Sequence, residues 1–286
     1  MANVEVNTWA GLQDSNNQGN NVKWTGGDLD FNDTQPTGFR NAVTLYGNID
    51  FQGATFRNFR HSGNGYLYPN SPLHFNFNSG GYVKNLNFVN GLFNESESFS
   101  SGVIVFGNSD CYNANVINCR FDVDFTLSLE QKLFHVLRKT NYSGRSAFQQ
   151  CAFKVKAQHT SSTTLYLFGF NHCDDCRIDL DINTAYVYRE FGSRDSFNCG
   201  MHNSEIAGKI RYGGSNVNVV FGSDSSGTNV YRVDVNGTNQ IYSGASITVY
   251  DDDIMNISST TNVKGCTEAQ LKDKEYLNSI GFQIAT

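Results

Sequence analysis

The heptapeptide CRFDVDF, residues 119–125, returns 57 residues later as CRIDLDI, residues 176–182. Between these copies, residues 151–157 read CAFKVKA, with lysines where the other two have aspartates. Apolar and polar residues alternate with a period of two in all three copies, which is the pattern of a β-strand with one buried face. The three stretches therefore predict equivalent strands of a repeated structure.

The repeat extends well beyond these three copies. Six phrases share the frame, and a looser seventh follows: FRNFRHS from Phe56, VKNLNFV from Val83, VINCRFDV from Val116, FQQCAFKV from Phe148, CDDCRIDL from Cys173, MHNSEIAG from Met201 and TNVYRVDV from Thr228. A second strand precedes most phrases and often ends in Phe-Gly, as in VIVFG at 103–107 and LYLFG at 165–169. The phrases begin 25–33 residues apart with no helical pattern between them. That spacing is incompatible with βαβ crossover units and predicts two strands per coil of a parallel β-solenoid. A sandwich of antiparallel hairpins is the alternative, but it would not repeat one apolar pattern in the same phase.

The polar face of the repeat alternates in charge from copy to copy. We define a column as the residues at equivalent positions in successive copies. Parallel strands about 4.8 Å apart would place each aspartate beside a lysine, and each such pair stabilises a sheet by about 0.2–1 kcal/mol. On the apolar face, one inward position is cysteine in three consecutive copies. The sequence thus predicts a structural ladder made of Cys119, Cys151, Cys176, Asp122, Lys154, Asp179, Asp124, Lys156, Asp181 and Lys209, with Asp234 aligned to Ala207 and Asn236 to Lys209.

Composition excludes several classes of partner. The 286 residues carry 27 acidic and 21 basic side chains, a net charge of −6, so we expect no binding to nucleic acid. The chain has no apolar run of about 18 residues, so we expect no membrane insertion. The first residues, MANVEVNTWAGLQDSNN, lack the basic and apolar regions of a signal peptide. Seven cysteines, an odd number, favour reduced thiols over a disulfide scaffold, and we expect synthesis in a host cytoplasm.

The ends of the chain are predicted to cover the solenoid. Asn7 or Thr8 can cap a short helix, and Thr267 and Gln270 have the spacing of a capping box. The terminal helix should continue through Leu277 and Ile280 and end at Gly281. We expect a single domain over 1–286, with an N-terminal cap at 1–20, β-helix coils at 21–262, and a capping helix and tail at 263–286.

The coils resemble the right-handed parallel β-helix of the pectate-lyase-like superfamily over roughly residues 20–260. The opening, TWAGLQDS…VKWTGGDLDF…GNIDFQGATFRNF, is similar to the first coils of many β-helix proteins. The tail, CTEAQLKDKEYLNSIGFQI, is similar to C-terminal segments of bacteriophage structural proteins and related bacterial surface proteins. The resemblance implies an all-β fold, a single-stranded right-handed parallel β-helix with short N- and C-terminal helical caps. Such folds serve polysaccharide lyases and hydrolases, tailspikes and adhesins, so the residues must decide the function.

No catalytic set emerges from the sequence. The pairs Asp122/Asp124 and Asp179/Asp181 could act as acid and base, but the lysines between them favour a structural ladder. Asp175 shares its position with the turn residues Asn85, Asn118, Gln150 and Asn203, so we expect it to hydrogen-bond a turn. The histidines (His61, His74, His135, His159, His172 and His202) show no shared column.

No metal or cofactor is predicted either. HCDDC at 172–176 contains the Cys-x-x-Cys spacing of zinc sites, but no second ligand pair accompanies it. A stack of buried thiols is the better interpretation. DDD at 251–253 could bind Ca²⁺ weakly, although a solvated turn is the simpler interpretation.

These observations predict a non-enzymatic bacteriophage virion protein: a decoration protein, a tail fibre or a receptor-binding appendage. Its expected partners are other virion proteins, a host cell-surface glycan and two further copies in a homotrimer, and its expected location is the virion. The first alternative is a polysaccharide lyase or hydrolase with an acidic site on the face around 122–181. The second is a bacterial surface adhesin. No binding residue is identified from the sequence.

Overall fold

The computed structural model describes residues 1–34, 43–63, 71–96, 102–108, 113–136, 147–169, 172–191, 200–213, 219–222, 229–237, 239–242 and 248–281. Three short helices occur in this part of the chain: α1 (Trp9–Leu12), α2 (Glu268–Lys272) and α3 (Lys274–Ser279), with a 3₁₀ turn at Ser15–Asn17. All other regular structure is β. The prediction of an all-β fold is therefore confirmed.

The strands are short at the corners of the solenoid and longest along one side. In chain order they are β1 (Asn3–Val6), β2 (Asn21–Trp24), β3 (Leu29–Asp30), β4 (Val43–Tyr46), β5 (Asn48–Asp50), β6 (Thr55–Arg57), β7 (Arg60–Gly63), β8 (Leu73–Asn76), β9 (Tyr82–Lys84), β10 (Asn87–Glu95), β11 (Ile104–Phe106), β12 (Asn115–Ile117), β13 (Arg120–Leu127), β14 (Gln131–Val136), β15 (Ala147–Gln149), β16 (Ala152–His159), β17 (Thr164–Phe168), β18 (His172–Asp174), β19 (Arg177–Thr184), β20 (Val187–Phe191), β21 (Gly200–His202), β22 (Glu205–Tyr212), β23 (Val219–Phe221), β24 (Asn229–Val235), β25 (Asn239–Tyr242), β26 (Thr248–Asp251), β27 (Ile257–Thr261) and β28 (Val263–Cys266).

The strands form three parallel sheets that run along the solenoid. Sheet A has the order β1-β2-β5-β9-β12-β15-β18-β21, and sheet C has the order β27-β25-β23-β20-β17-β14-β11-β8-β4. Sheet B, the longest side, has the order β28-β26-β24-β22-β19-β16-β13-β10-β6-β3, with β7 paired to β10. A coil such as β12-β13-β14 gives one strand to each sheet, and the next coil repeats the order. This topology confirms the parallel β-helix, and the alternative of an antiparallel sandwich is wrong.

Each coil has three strands rather than the two expected from the sequence, because the recurring phrase crosses a corner. In VINCRFDV, β12 ends at Ile117, Asn118 has a φ of +50°, and β13 begins at Arg120. The left-handed conformation of Asn118 turns the chain from sheet A to sheet B, and asparagine tolerates it better than most residues. The same corner follows β15 and β18.

Aromatic rings fill the solenoid interior in ladders along its length. Phe121 stacks on Phe153 at a centroid distance of 5.5 Å and an interplanar angle of 15°. Phe75 and Phe106 stack at 5.0 Å and 5° between sheet C strands. Equivalent side chains stack because register repeats the same position in every coil. Aromatic pairs of this kind contribute about 0.5–1.5 kcal/mol beyond their buried area.

The helices near both ends of the chain have side-chain N-caps. The Thr8 hydroxyl accepts a hydrogen bond from the Gly11 N–H at 3.1 Å. The capping box of Thr267 and Gln270 is present, as predicted. The terminal helix is not continuous, because Asp273 ends α2 and caps α3. The cap's own apolar cluster joins Leu271 and Leu277 to the last coils.

Candidate functional site

An open groove of about 560 Å³ lies on the outer face of sheet B. It crosses β13, β16, β19, β22 and β24, and the backbone around Val123, Val155 and Leu180 lines it between rows of charged side chains. Gly208 extends this lining; its φ is +114°, and a Cβ there would clash with the Leu180 carbonyl. The charged lining consists of Asp122, Asp124, Asp179, Asp181, Asp234, Lys154, Lys156 and Lys209.

The register of sheet B arranges these charges in two columns. In the first, Asp122 lies opposite Lys154, and Lys154 lies opposite Asp179. The second column runs Asp124, Lys156, Asp181, Lys209 and Asp234, alternating in sign at every step. The ladder residues named from the sequence thus lie in adjacent strands around one groove.

Most groove aspartates are ion-paired. Lys154 Nζ lies 3.3 Å from Asp122 Oδ2, and Lys156 Nζ lies 3.1 Å from Asp124 Oδ2. Lys209 Nζ lies 3.3 Å from Asp181 Oδ2. Asp234 pairs with Arg211. Within the described residues, Asp179 has no cationic group within 4.0 Å, because Lys154 on one side pairs with Asp122 and the neighbour on the other side is Ala207. The groove is therefore a largely charge-compensated surface.

The last copy of the repeat has a different register from the one predicted. Ala207 lies opposite Arg232, and Lys209 lies opposite Asp234. The alignment of Asp234 with Ala207 and of Asn236 with Lys209 was therefore wrong by two residues. It was wrong because an apolar/polar alternation is unchanged by a shift of two, whereas the backbone pairing is not.

A second charge ladder, which the sequence alignment missed, lies on sheet A. Its column runs Glu5, Lys23, Asp50 and Lys84. Lys23 Nζ lies 3.5 Å from Glu5 Oε1, and Lys84 Nζ lies 3.1 Å from Asp50 Oδ2. The signal for it is present in the sequence, because these four residues hold equivalent positions in the first coils. Alternating charge is hence not confined to the groove.

The predicted turn position of Asp175 is a column of left-handed residues. Asn85, Asn118, Gln150, Asp175 and Asn203 all have φ between +49° and +58°. Asn118 Nδ2 donates to Asn85 Oδ1 at 2.8 Å, and Asn85 Nδ2 donates to Asp50 Oδ1 at 2.9 Å. Asp175 therefore lies at a corner of the solenoid and outside the groove.

A parallel ladder runs along another corner. Asn90 Nδ2 donates to Asn58 Oδ1 at 2.6 Å, and Asn58 Nδ2 donates to Asp30 Oδ1 at 2.9 Å. Hydrogen bonds from the Asn58 side chain and the Asn32 N–H, together with Arg57, hold the pKa of Asp30 at about 2. An aspartate thus begins each amide ladder and accepts its terminal N–H.

The cysteine column is a row of buried donors beside one corner. The Cys151 thiol lies within donor distance of the Val116 carbonyl (3.3 Å) and the Gln149 carbonyl (3.4 Å). Cys119 and Cys176 make the equivalent pairs of contacts. In the next coil the same position is Ser204, whose hydroxyl lies 3.0 Å from the Cys173 carbonyl and 2.8 Å from the His202 carbonyl. In these four successive coils the position therefore holds a small donor side chain, a cysteine three times and then a serine.

The thiols have no arrangement typical of a zinc site. In the described part of the chain, the one group of three or more potential ligands within 4.8 Å is Asp251, Asp252 and Asp253. Burial raises the pKa of Cys119 and of Cys176 well above the usual range for a thiol. Neutral thiols such as these two donate hydrogen bonds, whereas zinc binds thiolates. Cys111 and Cys199 lie outside the described residues.

The Asp251–Asp253 turn has structural partners. The Asp253 N–H donates to Asp251 Oδ1 at 3.1 Å, and Asp253 Oδ2 accepts from the Glu268 N–H at 3.1 Å. The turn thereby holds the first residue of α2 against the last coil. Burial raises the pKa of Asp251 above its ordinary value. The carboxylates of Asp251 and Asp253 thus already hold the turn and the start of α2 through hydrogen bonds.

The histidines are placed differently from the prediction in one respect. His74 and His135 share a column, because both lie opposite Val105 on sheet C, so the prediction of no shared column was wrong. The recurring phrases form strands of sheets A and B, so they do not indicate which residues are equivalent on sheet C.

A buried histidine–carboxylate pair lies at the end of β7 and β10. His61 Nδ1 lies 2.5 Å from Glu95 Oε1, and both side chains are fully buried. Burial raises the pKa of Glu95, while His61 opposes that shift. The pair lies in the interior, away from the groove, so it contributes to the core rather than to a surface site.

Comparison with known proteins adds no relationship. The chain matches no protein-family model, no curated protein and no solved structure. None of the helices in the described residues is long and apolar enough to span a membrane. The resemblances to the pectate-lyase-like superfamily and to bacteriophage proteins consequently remain predictions from the sequence.

Proposed function

We propose that this chain is a non-enzymatic structural protein of a bacteriophage particle, serving as a decoration protein, a tail fibre or a receptor-binding appendage. The observation that carries the proposal is the pairing of groove aspartates with cations in columns. Lys154, Lys156 and Lys209 each lie within 3.3 Å of an aspartate carboxylate. Carboxylates that are ion-paired with lysines on neighbouring strands stabilise the strand register and set the surface charge. This role explains them better than proton transfer does.

The recurrence of this pattern on sheet A supports the same conclusion. Glu5, Lys23, Asp50 and Lys84 alternate there in the same way, on a different side of the solenoid. A catalytic arrangement is specific to one place, whereas a stabilising arrangement is repeated. A rigid, register-locked solenoid with helical covers at both ends suits a part of a particle that must resist shear and proteases.

The groove is the proposed contact surface of this protein. Its exposed lysines and aspartates can bind a host cell-surface glycan or a neighbouring virion protein through hydrogen bonds and ion pairs. Assembly as a homotrimer would place three such grooves around one axis. The pairing of charges within each chain leaves the surface soluble before assembly.

Two measurements test the proposal. Light scattering after size-exclusion chromatography separates a single 31.8 kDa chain from a trimer of three times that mass, about 95 kDa. Immunogold electron microscopy, with antibodies against the recombinant chain, then examines particles from a culture that expresses the gene. Gold on the particles is the expected result. Label that is confined to cell envelopes would favour a bacterial surface adhesin and would refute the virion assignment.

A polysaccharide lyase or hydrolase is the second candidate, and one observation favours it. Asp179 lies in the groove beside Asp181, and no cation lies within 4.0 Å of Asp179 in the described residues. The Cα atoms of residues i and i+2 in a strand are about 6.6 Å apart, so two carboxylates on this face can flank a sugar bond. The assay is the release of reducing ends or unsaturated products from acidic and neutral polysaccharides. Cleavage that Asp179→Asn abolishes and Asp50→Asn preserves would establish the enzyme and overturn the structural role.

A further inference from the structure

Two histidines from different coils meet on the outer face of sheet A. In the register of β18 and β21, His172 lies opposite Gly200, and Asp174 lies opposite His202. The residues between them, Cys173 and Met201, are fully buried in the core. Since side chains alternate along a strand, His172, Asp174 and His202 all project from the outer face. Gly200 has no side chain, so the His172 ring can reach diagonally towards His202.

The two imidazole rings approach through their nitrogens. His172 Nδ1 lies 3.0 Å from His202 Nε2, and the ring centroids are 5.1 Å apart with an interplanar angle of 36°. His172 is only 8% exposed, so packing holds its ring in place. His202 is half-buried. One ring N–H donates to the other ring in this geometry.

The separation matches that of two imidazoles on one metal ion. Zinc–nitrogen bonds are about 2.0–2.1 Å long, which puts two nitrogens about 2.9 Å apart at a 90° angle and about 3.4 Å apart at a tetrahedral angle. The observed 3.0 Å lies within this interval. Asp174 lies directly opposite His202 by register, but its carboxylate does not lie within 4.8 Å of both ring nitrogens, so the two histidines are the protein ligands. Imidazole nitrogen suits Zn²⁺, Ni²⁺ and Cu²⁺.

We propose that His172 and His202 chelate a divalent transition-metal ion at the outer face of sheet A. The ring that donates in this pair moves its proton to its other nitrogen by exchange with solvent, so that both rings bind the ion as neutral imidazoles, through His172 Nδ1 and His202 Nε2. Water completes the coordination. The metal would join the coil of β18 to the coil of β21, at the last strand of sheet A in the described residues.

Calorimetric titration of the full chain with NiCl₂ at pH 7.5 tests the proposal. We expect one site per chain and a loss of affinity of more than about tenfold in His202→Gln. His202 is on the surface, so this variant should fold, and circular dichroism checks it; His172→Gln is the second variant. The control is the double variant Asp252→Asn/Asp253→Asn, which removes the competing acidic cluster and should bind Ni²⁺ like wild type.

A second readout identifies the ligands directly. The electron paramagnetic resonance spectrum of the Cu²⁺-loaded chain should show coupling to two imidazole nitrogens in wild type and to one in His202→Gln. The absence of Ni²⁺ binding by wild type would overturn the proposal. An unchanged affinity in His202→Gln, or loss of binding in the acidic-cluster control, would overturn it as well.

Discussion

Reversing Lys156 tests whether the groove charges act as a ladder or as isolated pairs. Lys156 lies between Asp124 and Asp181 in register, and its Nζ is 3.1 Å from Asp124 Oδ2. Its side chain is 65% exposed and that of Asp124 is 40% exposed, so we take about 0.5 kcal/mol for each contact. Lys156→Asp loses one attraction and creates two like-charge contacts. The free energy of unfolding should therefore fall by about 1.5 kcal/mol.

The charge-swapped variant Asp124→Lys/Lys156→Asp separates the two models. For an isolated pair the swap restores the attraction and the full stability. In a ladder, an aspartate at 156 still faces Asp181, so about 0.5 kcal/mol of destabilisation should remain. Gln158→Asp is the matched control, because Gln158 is exposed on the same strand between the uncharged Thr126 and Asn183.

Urea unfolding at low ionic strength measures these differences without screening the charges. In 1 M NaCl the Debye length falls to about 3 Å, and the effect of Lys156→Asp should shrink towards that of the control. A swapped variant as stable as wild type would refute the ladder. So would a Lys156→Asp variant no less stable than Gln158→Asp.

Four further predictions concern stability and reactivity. Asn118→Ala should cost about 2 kcal/mol in urea unfolding, because alanine disfavours a φ of +50° and loses the amide ladder, whereas Asn118→Gly should cost about half as much. Cys151→Ser should lose less than about 1 kcal/mol in the same assay, since a hydroxyl already fills this position two coils later, at Ser204, and a thiol-labelling reagent should reach residue 151 only after unfolding of the wild type. Because burial raises the folded-state pKa of Glu95, the stability that it contributes is fully present below the unfolded pKa and is lost as pH rises through the folded pKa. Glu95→Gln should therefore gain stability relative to wild type as the pH of unfolding is raised, and a constant difference would contradict this. Leu277→Ala should cost about 2–5 kcal/mol by thermal and urea unfolding, because Leu277 is buried between the cap and the last coil, and a loss below 1 kcal/mol would show that the cap does not stabilise the coils.

The sequence by itself determined the class of fold. A seven-residue phrase that recurs in phase with a period of two can bury one face only if its copies stack, and the reversal of charge in CAFKVKA indicates which copies are neighbours. The same pattern was sufficient to place Cys119, Cys151 and Cys176 inside and the lysines outside. These features follow from local alternation and from the identity of residues at equal positions, both of which are visible in one dimension.

The tertiary structure decided the features that depend on backbone pairing. It placed a corner at Asn118, which divides the recurring phrase into two strands, so that each coil has three strands and not two. The sequence does not reveal this corner, because a single left-handed residue leaves the alternation of apolar residues intact on both sides. It also set the register of the last coil, where Lys209 faces Asp234, since a shift of two residues preserves every hydrophobic position.

Contacts between unlike positions were likewise decided only by the fold. His172 meets His202 diagonally across two coils, and His61 meets Glu95 in the core, although neither pair aligns in the repeat. A repeat reports which residues are equivalent, and equivalent residues are neighbours along a column. Contacts between non-equivalent positions depend on the space that small residues such as Gly200 leave. They also depend on the orientation of each side chain, which the repeat does not report.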